Sequence, residues 1–493
     1  MAINNNIFLP KKIDVQRALL KHSLFEFIKF FWHIVSEEKL VANWHIEVIS
    51  KELEIVARRV FKREPSLYDL IINVPPSTSK STIVSQMFPV WCWINDPSLQ
   101  IGTTSYSKEL SIDLGSKSRD IIKSKEFSDL FPEVELRKDI DNKGKYKNTK
   151  KGFRFITSTG GTVTGIHFHI GILDDNLSAT TAASEAEREK AHKFSTRTFS
   201  TRTVGESTIM ILVEQRLHVE DTTSFWLKSG RKVKHFCFPA ELNEFVYPKE
   251  YEKYYIDGLF DPIRLSRVEL EKKKLNVGSY AYSCQFLQNP IPEGGSYFKK
   301  NWFNIIDKEE FVKKVMNISP TFDVYVDTAE TENLKNDASG IIKCWAYKGN
   351  LYIFDFHSVY FTFPDLRNFI VEYFTKDNGF SLQSRVFIEG KSNGISVVNE
   401  LKQHKINAVQ HKFDKSTGIS MTQAKEVRAM NIQATVERGV IYLVEGYSKT
   451  NWITKYLDFM CAFPHGKNKE ATDVTVMAMA DKILPKKSLS IGY

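Results

Sequence analysis

The sequence predicts two α/β domains in series, the first on a mostly parallel sheet and the second on a mixed one. Three observations point there. Residues Leu67 to Thr82, LYDLIINVPPSTSKST, run from an apolar strand through a hydroxyl-rich loop into a helix. Two later apolar strands, separated by helices, also finish in polar residues, which lines chemistry along one edge of a parallel sheet. Beyond a connector punctuated by proline and glycine, strands about the turn at Lys348-Gly349-Asn350 open a second sheet as an antiparallel meander.

At 493 residues the chain is too long for one core, and 42% apolar with 26% charged residues is a globular composition. A formal charge of +9 and a pI near 9.0 favour a polyanionic partner, nucleic acid first, although a dispersed lysine surplus also serves solubility alone. The five cysteines, Cys92, Cys237, Cys284, Cys344 and Cys461, lie far apart without a CxxC pair. That spacing argues against a metal or disulfide framework and fits a reducing cytoplasm. The most apolar early run, Leu24 to Val35, carries Glu26, Lys29 and His33 and falls short of the ~20 residues a membrane span needs. Neither a signal peptide nor a membrane segment is expected.

That run sets Leu24, Phe27, Ile28, Phe31 and Ile34 at helical spacing, an amphipathic helix that packs on a domain or a partner. Trp44 and His45 open another helix just ahead of the loop, and Trp44 reads either as a ring stacking on adenine or as core. The apolar run Leu70, Ile71, Ile72 and Val74 then breaks at Pro75. Pro76, Ser77, Thr78, Ser79, Lys80, Ser81 and Thr82 form the candidate nucleotide-binding stretch. Phosphates require inward-facing backbone amides, a lysine against the β/γ charge and a hydroxyl on Mg2+, and Lys80 and Ser81 stand in that order. Val74 and Ser79 occupy the glycine positions of GxxxxGK[ST], so taken alone the stretch also reads as an ordinary strand-to-helix turn.

After the loop, Ile83 to Ile94 is a helix interrupted by Pro89, and Leu99 to Thr104 is the next strand. Lys108 to Lys123 is a helix whose Arg119 is either a phosphate contact or a solvated charge. The lysine-rich stretch Lys138 to Lys151 reads as a loop open to DNA or simply to solvent. Ile170 to Asp175, IGILDD, is a fully apolar strand that ends in two carboxylates. Asp174 suits Mg2+ held through water and Asp175 suits the orientation or deprotonation of an attacking water; the alternative is a helix-capping pair. Strand Thr208 to Val213 ends in Glu214-Gln215-Arg216, ahead of His218 and Asp221, where Gln215 or Arg216 can sense a γ-phosphate. Three strands with such ends, separated by helices, predict a nucleotide-hydrolysing α/β domain.

Between Glu241 and Asp307 strands give way to short helical pieces punctuated by Pro248, Pro262, Pro290, Pro292 and Gly294-Gly295. A new strand, FDVYVDTA, reaches Asp327, and an excursion with Asp337 precedes the meander. Helix Pro364 to Phe374 follows, then strand Arg385 to Gly390 with Glu389 at its end, and the helix Ala471 to Ile483 carries Asp473 in its first turn. Asp327, Glu389 and Asp473 thus sit on elements that can converge on two divalent metals, one activating water and one stabilising the leaving oxygen of a phosphodiester. Each alone is equally well a strand-end acid or a helix cap. The expected boundaries are an N-terminal helical segment 1–40, an ATPase domain 41–240, a linker 241–310 and a nuclease domain 311–493.

In the order of its motifs the chain resembles the large terminase subunits of tailed bacteriophages. The resemblance covers nearly all of it: ANWH, VPPSTSKS, SYS, GGTVTG before ILDD, QRLHVED, CQFLQNP, YFKKNWF, DTAETENLKNDAS, FIEGKSNG, ERGVIYL and FPHG ahead of Asp473. It implies an ASCE-type P-loop ATPase domain joined to a ribonuclease-H-like nuclease domain. On that likeness Lys80, Ser81, Asp174 and Asp175 serve hydrolysis of ATP with Mg2+, and Asp327, Glu389 and Asp473 hold two Mg2+ or Mn2+. The implied partners are double-stranded DNA, a portal protein, a small terminase subunit and further copies in a ring on the procapsid. The implied place is the host cytoplasm and, transiently, the portal vertex.

The chain departs from the family pattern at three points. Ser79 replaces a usual glycine. The family's Thr-Gly-Arg reads Thr164-Gly165-Ile166, so that position offers no arginine finger, and the arginine that completes the ATP site is left open. In KEATD only Glu470 and Asp473 are acidic, with Lys469 where the family often has another acid. Two other readings compete: a helicase-nuclease of DNA repair, whose further strand-separation motifs are missing after Asp175, and a non-enzymatic capsid-vertex protein with a decayed ATP site.

Overall fold

Two separate sheets organise the chain in the computed structural model, which describes residues 12–163, 165–290, 296–315, 318–328, 338–376, 379–389 and 392–485. Thr164, Pro292, Gly294, Gly295, Asp337 and Gly390 lie outside the described residues. Those within 1–274 and 281–291 form one unit, and those within 275–280 and 292–493 form the other. Among the described residues no helix is long and apolar enough to cross a membrane, and all five cysteines are free thiols.

In the first unit the strands are β1 Asp69–Asn73, β2 Gln100–Ser105, β3 Leu136–Asn142, β4 Lys145–Asn148, β5 Phe153–Ser158, β6 Ile170–Asp174, β7 Ile209–Glu214 and β8 Val233–Cys237. They lie in the order β3-β4-β5-β2-β6-β7-β1-β8, parallel from β5 to β8, with β3 and β4 as an antiparallel margin. Every residue of β6 and β7 is buried, as continuous apolar runs in a doubly covered parallel sheet require. Leu173, Met210 and Leu212 pack with Phe168, Phe194, Phe199 and Trp226 on one face. Helix Leu24–Val35 buries Leu24, Phe27, Ile28 and Phe31, the stripe its periodicity predicts.

The structure corrects two expectations in this unit. The lysine-rich stretch 138–151 is largely the β3–β4 hairpin rather than a loop: buried Tyr146 and Asn148 anchor it while the lysines point outward. The helix expected over Ile83 to Ile94 begins instead as a π-helical segment, Thr82–Met87, followed by helix Phe88–Asn95. Pro89 explains the change. It has no N–H for the carbonyl of Ser85 one turn earlier, and that oxygen accepts instead from the buried Arg154 guanidinium at 3.1 Å.

The second unit contains β9 Phe303–Asp307, β10 Asp323–Asp327, β11 Ser339–Tyr347, β12 Asn350–Val359, β13 Val386–Glu389, β14 Ala408–His411 and β15 Ile441–Glu445. Their order is β14-β13-β10-β11-β12-β15-β9. Strands β10, β11 and β12 form the predicted antiparallel meander, and the remaining pairs are parallel, so the sheet is mixed. Strand β9 corrects a third expectation, because it lies inside the stretch read as strand-free and pairs with β15. One face of β10 and β13 packs Val324, Val326, Val386 and Ile388 on helices Phe363–Thr375 and Ser392–Gln403.

Helix Glu470–Lys482 is buried along most of its length and begins against Gly340 of β11, the residue paired with Asp327. A Cβ at position 340 would meet the Glu470 Cβ at 2.8 Å and its carbonyl oxygen at 2.9 Å, so glycine is required for this approach. Gly340→Ala is therefore expected to push the helix start off the sheet and cost about 1–3 kcal/mol. Thermal unfolding of the full chain measures it, and an unchanged melting profile would show that the helix does not need the contact.

Candidate active sites

Strand β7 lies between β1 and β6, so the loop after β1, the aspartates after β6 and the Glu214-Gln215 end of β7 share one sheet edge. Ser81 Oγ donates to Asp174 Oδ1 at 2.8 Å and Ser85 Oγ to Asp174 Oδ2 at 2.5 Å. Lys80 Nζ lies 3.0 Å from Asp175 Oδ2. Burial and the neighbouring Asp175 charge raise Asp174 to about 7, against the pull of Ser85, Lys80 and Ser81. Asp175 has φ +45° and is oriented through its backbone, its N–H donating to Val213 O and its carbonyl accepting from Tyr106 N–H. Its Oδ1 accepts from the Gln215 N–H at 3.3 Å.

Inside the loop, Ser77 and Ser79 take φ of +63° and +66°, left-handed values that turn successive amides in one direction, as an anion-binding nest does. Thr78 Oγ1 donates to Pro75 O at 2.7 Å, and the Thr78 carbonyl meets His45 Nε2 at 2.9 Å. Pro76 is partly exposed, Ser77 is exposed and Thr82 opens the π segment. The Trp44 ring belongs to an aromatic cluster, stacked near Tyr254 at 5.3 Å and edge-on to Phe238 and Phe260. Arg216 is committed to Asp221 at 2.8 Å and to Ser224 at 2.7 Å. Gln215 Oε1 is buried and meets no hydrogen-bond donor among the described residues. Arg119 is paired with Asp141.

Sequence reading passed over two groups here. Glu214 is fully buried at the end of β7, hydrogen-bonded to Thr223, and is raised to about 8 by burial and by Asp221. Arg264, 185 positions beyond Ser79, donates to the Ser79 hydroxyl at 2.9 Å.

In the second unit Asp327, Glu389 and Asp473 come together. Burial, the charge of Asp473 and a hydrogen bond with Glu389 hold Asp327 well above the ordinary carboxylate range. Two cations from helix Lys425–Glu437 join them, one turn apart on the same face. Lys425 Nζ is 2.5 Å from Asp473 Oδ2 and 3.9 Å from Asp327 Oδ2, and Arg428 NH1 is 3.0 Å from Glu389 Oε1. Burial opposes the Lys425 charge, yet Asp473 and Asp327 keep its proton affinity above the ordinary value. Glu470 Oε2 is buried close by and has no hydrogen-bond partner among the described residues. No sequence pattern announced Lys425 or Arg428, since neither lies near the carboxylates along the chain.

The donor sets suit the expected ions: a hydroxyl beside a carboxylate for Mg2+ on a nucleotide, and three hard carboxylates for Mg2+ or Mn2+. Among the described residues no group of three or more His, Cys, Asp or Glu side chains stands ready to hold a metal. In the second unit Lys425 takes the bridging position between Asp473 and Asp327, so a metal there requires the lysine to withdraw.

No family model and no curated protein sequence matches the chain. Solved structures do. The large terminase from a thermophilic bacteriophage, solved in complex with ADP, is 11% identical, covers 89% of this chain and 99% of its own, and has a TM-score of 0.41. The HK97 bacteriophage large terminase is 11% identical over 94% of this chain and 99% of its own, with a TM-score of 0.37. The human cytomegalovirus terminase nuclease domain is 17% identical over 35% of this chain and 89% of its own, with a TM-score of 0.26.

His45, which braces the loop, and His218 and His235 are each lowered to about 4, chiefly by burial. Their folded values lie below the ordinary 6.5, so on acidification the unfolded chain takes up protons first. The contribution of these histidines to the first unit is therefore complete above pH 6.5 and falls as pH drops towards 4, by about 3 kcal/mol for fully buried His45 alone, while Asp174 and Glu214, raised to about 7 and about 8, act in the opposite sense. Urea unfolding of the parent and of His45→Gln at pH 7, 6 and 5 isolates the His45 part: the parent should lose stability relative to the variant as the pH falls. An identical slope in the variant would remove His45 from the account.

Proposed function

We propose that the chain is a DNA-packaging motor subunit of the large-terminase kind. Its first unit hydrolyses ATP to translocate double-stranded DNA into a procapsid, and its second cuts concatemeric DNA. The observation that carries this reading is that each unit, on its own sheet, brings together groups that suit phosphorus chemistry. Lys80 and Ser81 meet Asp175 and Asp174 in one, and Asp327, Glu389 and Asp473 meet one another in the other. The order of motifs along the chain supports it.

In the first unit Lys80 is released from Asp175 to the β/γ-phosphates, Ser81 and Asp174 position the Mg2+ that accompanies the nucleotide, and Asp175 orients water. Gln215, whose N–H donates to Asp175, links that carboxylate to the end of β7. In the second unit a pair of divalent cations, when bound, supplies an activated water and charge stabilisation at the leaving oxygen. Asp327, Glu389 and Asp473 would hold them, Lys425 having withdrawn, while Arg428 stays on Glu389. Portal protein, small terminase subunit and further copies in a ring are the proposed partners, met in the host cytoplasm and at the portal vertex. The positive net charge suits sequence-independent contact with DNA phosphates.

Two variants test the reading. Lys80→Ala should reduce DNA-stimulated ATP hydrolysis at least ~100-fold, because charge stabilisation dominates phosphoryl transfer, with the fold retained by circular dichroism although the loss of the Asp175 ion pair lowers the melting temperature. Retained turnover would contradict the ATPase assignment. Asp327→Asn keeps shape but removes a metal-ligating charge, so Mn2+-dependent plasmid cutting should collapse by a similar factor while ATP hydrolysis continues. If that variant still nicks plasmid like the parent, the three carboxylates are structural and the nuclease reading fails.

A further inference from the structure

The segment Phe260–Arg264 crosses the first unit beside the phosphate loop and is held there at several points. Asn43 Nδ2 and Trp44 Nε1 both donate to the Phe260 carbonyl, at 2.9 and 3.2 Å. Asp261 is buried, and its Oδ1 accepts from the backbone N–H of Ile263 and Arg264. Its Oδ2 accepts from Arg264 Nε at 2.5 Å, which fixes the plane of the guanidinium. NH1 then reaches Ser79 Oγ at 2.9 Å. The remaining terminal nitrogen, NH2, is shut off from solvent and meets no acceptor among the described residues.

A buried guanidinium donor without an acceptor costs about 1–3 kcal/mol or more, and such a group in a native fold calls for an explanation. Its position supplies one. Ser79 immediately precedes Lys80, the residue that faces the β/γ-phosphates in a loop of this type. An arginine locked to the hydroxyl of that residue stands one position from Lys80, so a small shift on nucleotide binding that opens NH2 would bring its spare N–H to the same phosphates. The chain needs no second copy for this, since Arg264 and the loop belong to one unit.

We propose that Arg264 is the arginine of this ATP site, acting within its own chain, and that its NH2 donates to a γ-phosphate oxygen. The inference rests on the nucleotide reading of the first unit. It gives Ser79 a role: its hydroxyl anchors Arg264, which glycine does not do. In turnover the guanidinium meets charge that builds on the γ-phosphoryl oxygens, the term arginine fingers supply.

The test compares Mg2+-AMP-PNP with Mg2+-ADP binding, by calorimetry, in the full-length parent, Arg264→Ala and Arg264→Lys. A γ-phosphate contact should make Arg264→Ala bind AMP-PNP at least ~10-fold more weakly and ADP within ~2-fold of the parent, with kcat down ~100-fold or more. Arg264→Lys, which keeps the charge but not the fork, should fall between the two. Equal weakening for both nucleotides in Arg264→Ala would mean that Arg264 only props the loop, and no change for either would remove it from the site; each overturns the inference alone. A parent that bound neither nucleotide would overturn the nucleotide reading and this inference with it.

Discussion

The first unit's site depends on one buried carboxylate. Taking an ion of that size out of water costs several kcal/mol unless hydrogen bonds replace the solvent. Asp174 gains two, from Ser81 and Ser85, and the ammonium of Lys80 adds its charge. Both hydroxyls must therefore face the end of β6, which sets the register of the turn that follows the loop. Pro89 then deprives the Ser85 carbonyl of its helical donor, and Arg154 crosses from β5 to satisfy it, also donating to Thr103 at 2.8 Å. A buried arginine bonded to a carbonyl and a hydroxyl, a π-helical segment and an aspartate raised to about 7 are one linked arrangement.

The second unit handles the same difficulty with charges. Three carboxylates face two cations, and burial, the Asp473 charge and the hydrogen bond with Glu389 raise the proton affinity of Asp327. If the three acids hold a divalent ion as proposed, that ion would take the place of the Lys425 ammonium, and metal binding to carboxylates releases protons. Gly340 allows the helix that bears Asp473 to approach closely enough for the exchange to involve all three acids.

Elements with strong local signals were legible in the sequence. Strands β1, β6, β7 and β10, the hairpin β11–β12 and the helix carrying Asp473 follow from apolar runs, one turn and one boundary. So does the placing of acids at their ends, because a strand end is a local feature. The hairpin β3–β4 was not legible, since its exposed faces carry lysine and aspartate and only Tyr146 and Asn148 are buried. Strand β9 was hidden because its apolar residues make sense only against β15, some 138 residues later in register from Phe303 to Ile441. Arg154, Arg264, Lys425 and Arg428 were invisible for a related reason: each acts on a group far away in sequence, and a lone basic residue has no period.

The departure of the loop from glycine bears on the competing idea of a decayed ATP site. A serine in the left-handed region costs about 1 kcal/mol, and a loop that had lost its use would be expected to relax out of that conformation. This loop keeps two such serines. It is also fastened from three directions: His45 meets the Thr78 carbonyl, Arg264 the Ser79 hydroxyl, and Asp174 the Ser81 hydroxyl. Glycine at position 79 would remove the strain and with it the Arg264 anchor. The hydroxyl therefore offsets what the backbone loses, and the conformation that turns the amides inward is held by side chains instead of by the freedom of glycine. A loop strained in the direction an anion requires, and pinned there by contacts spanning much of the unit, favours the proposed ATP site over a decayed one.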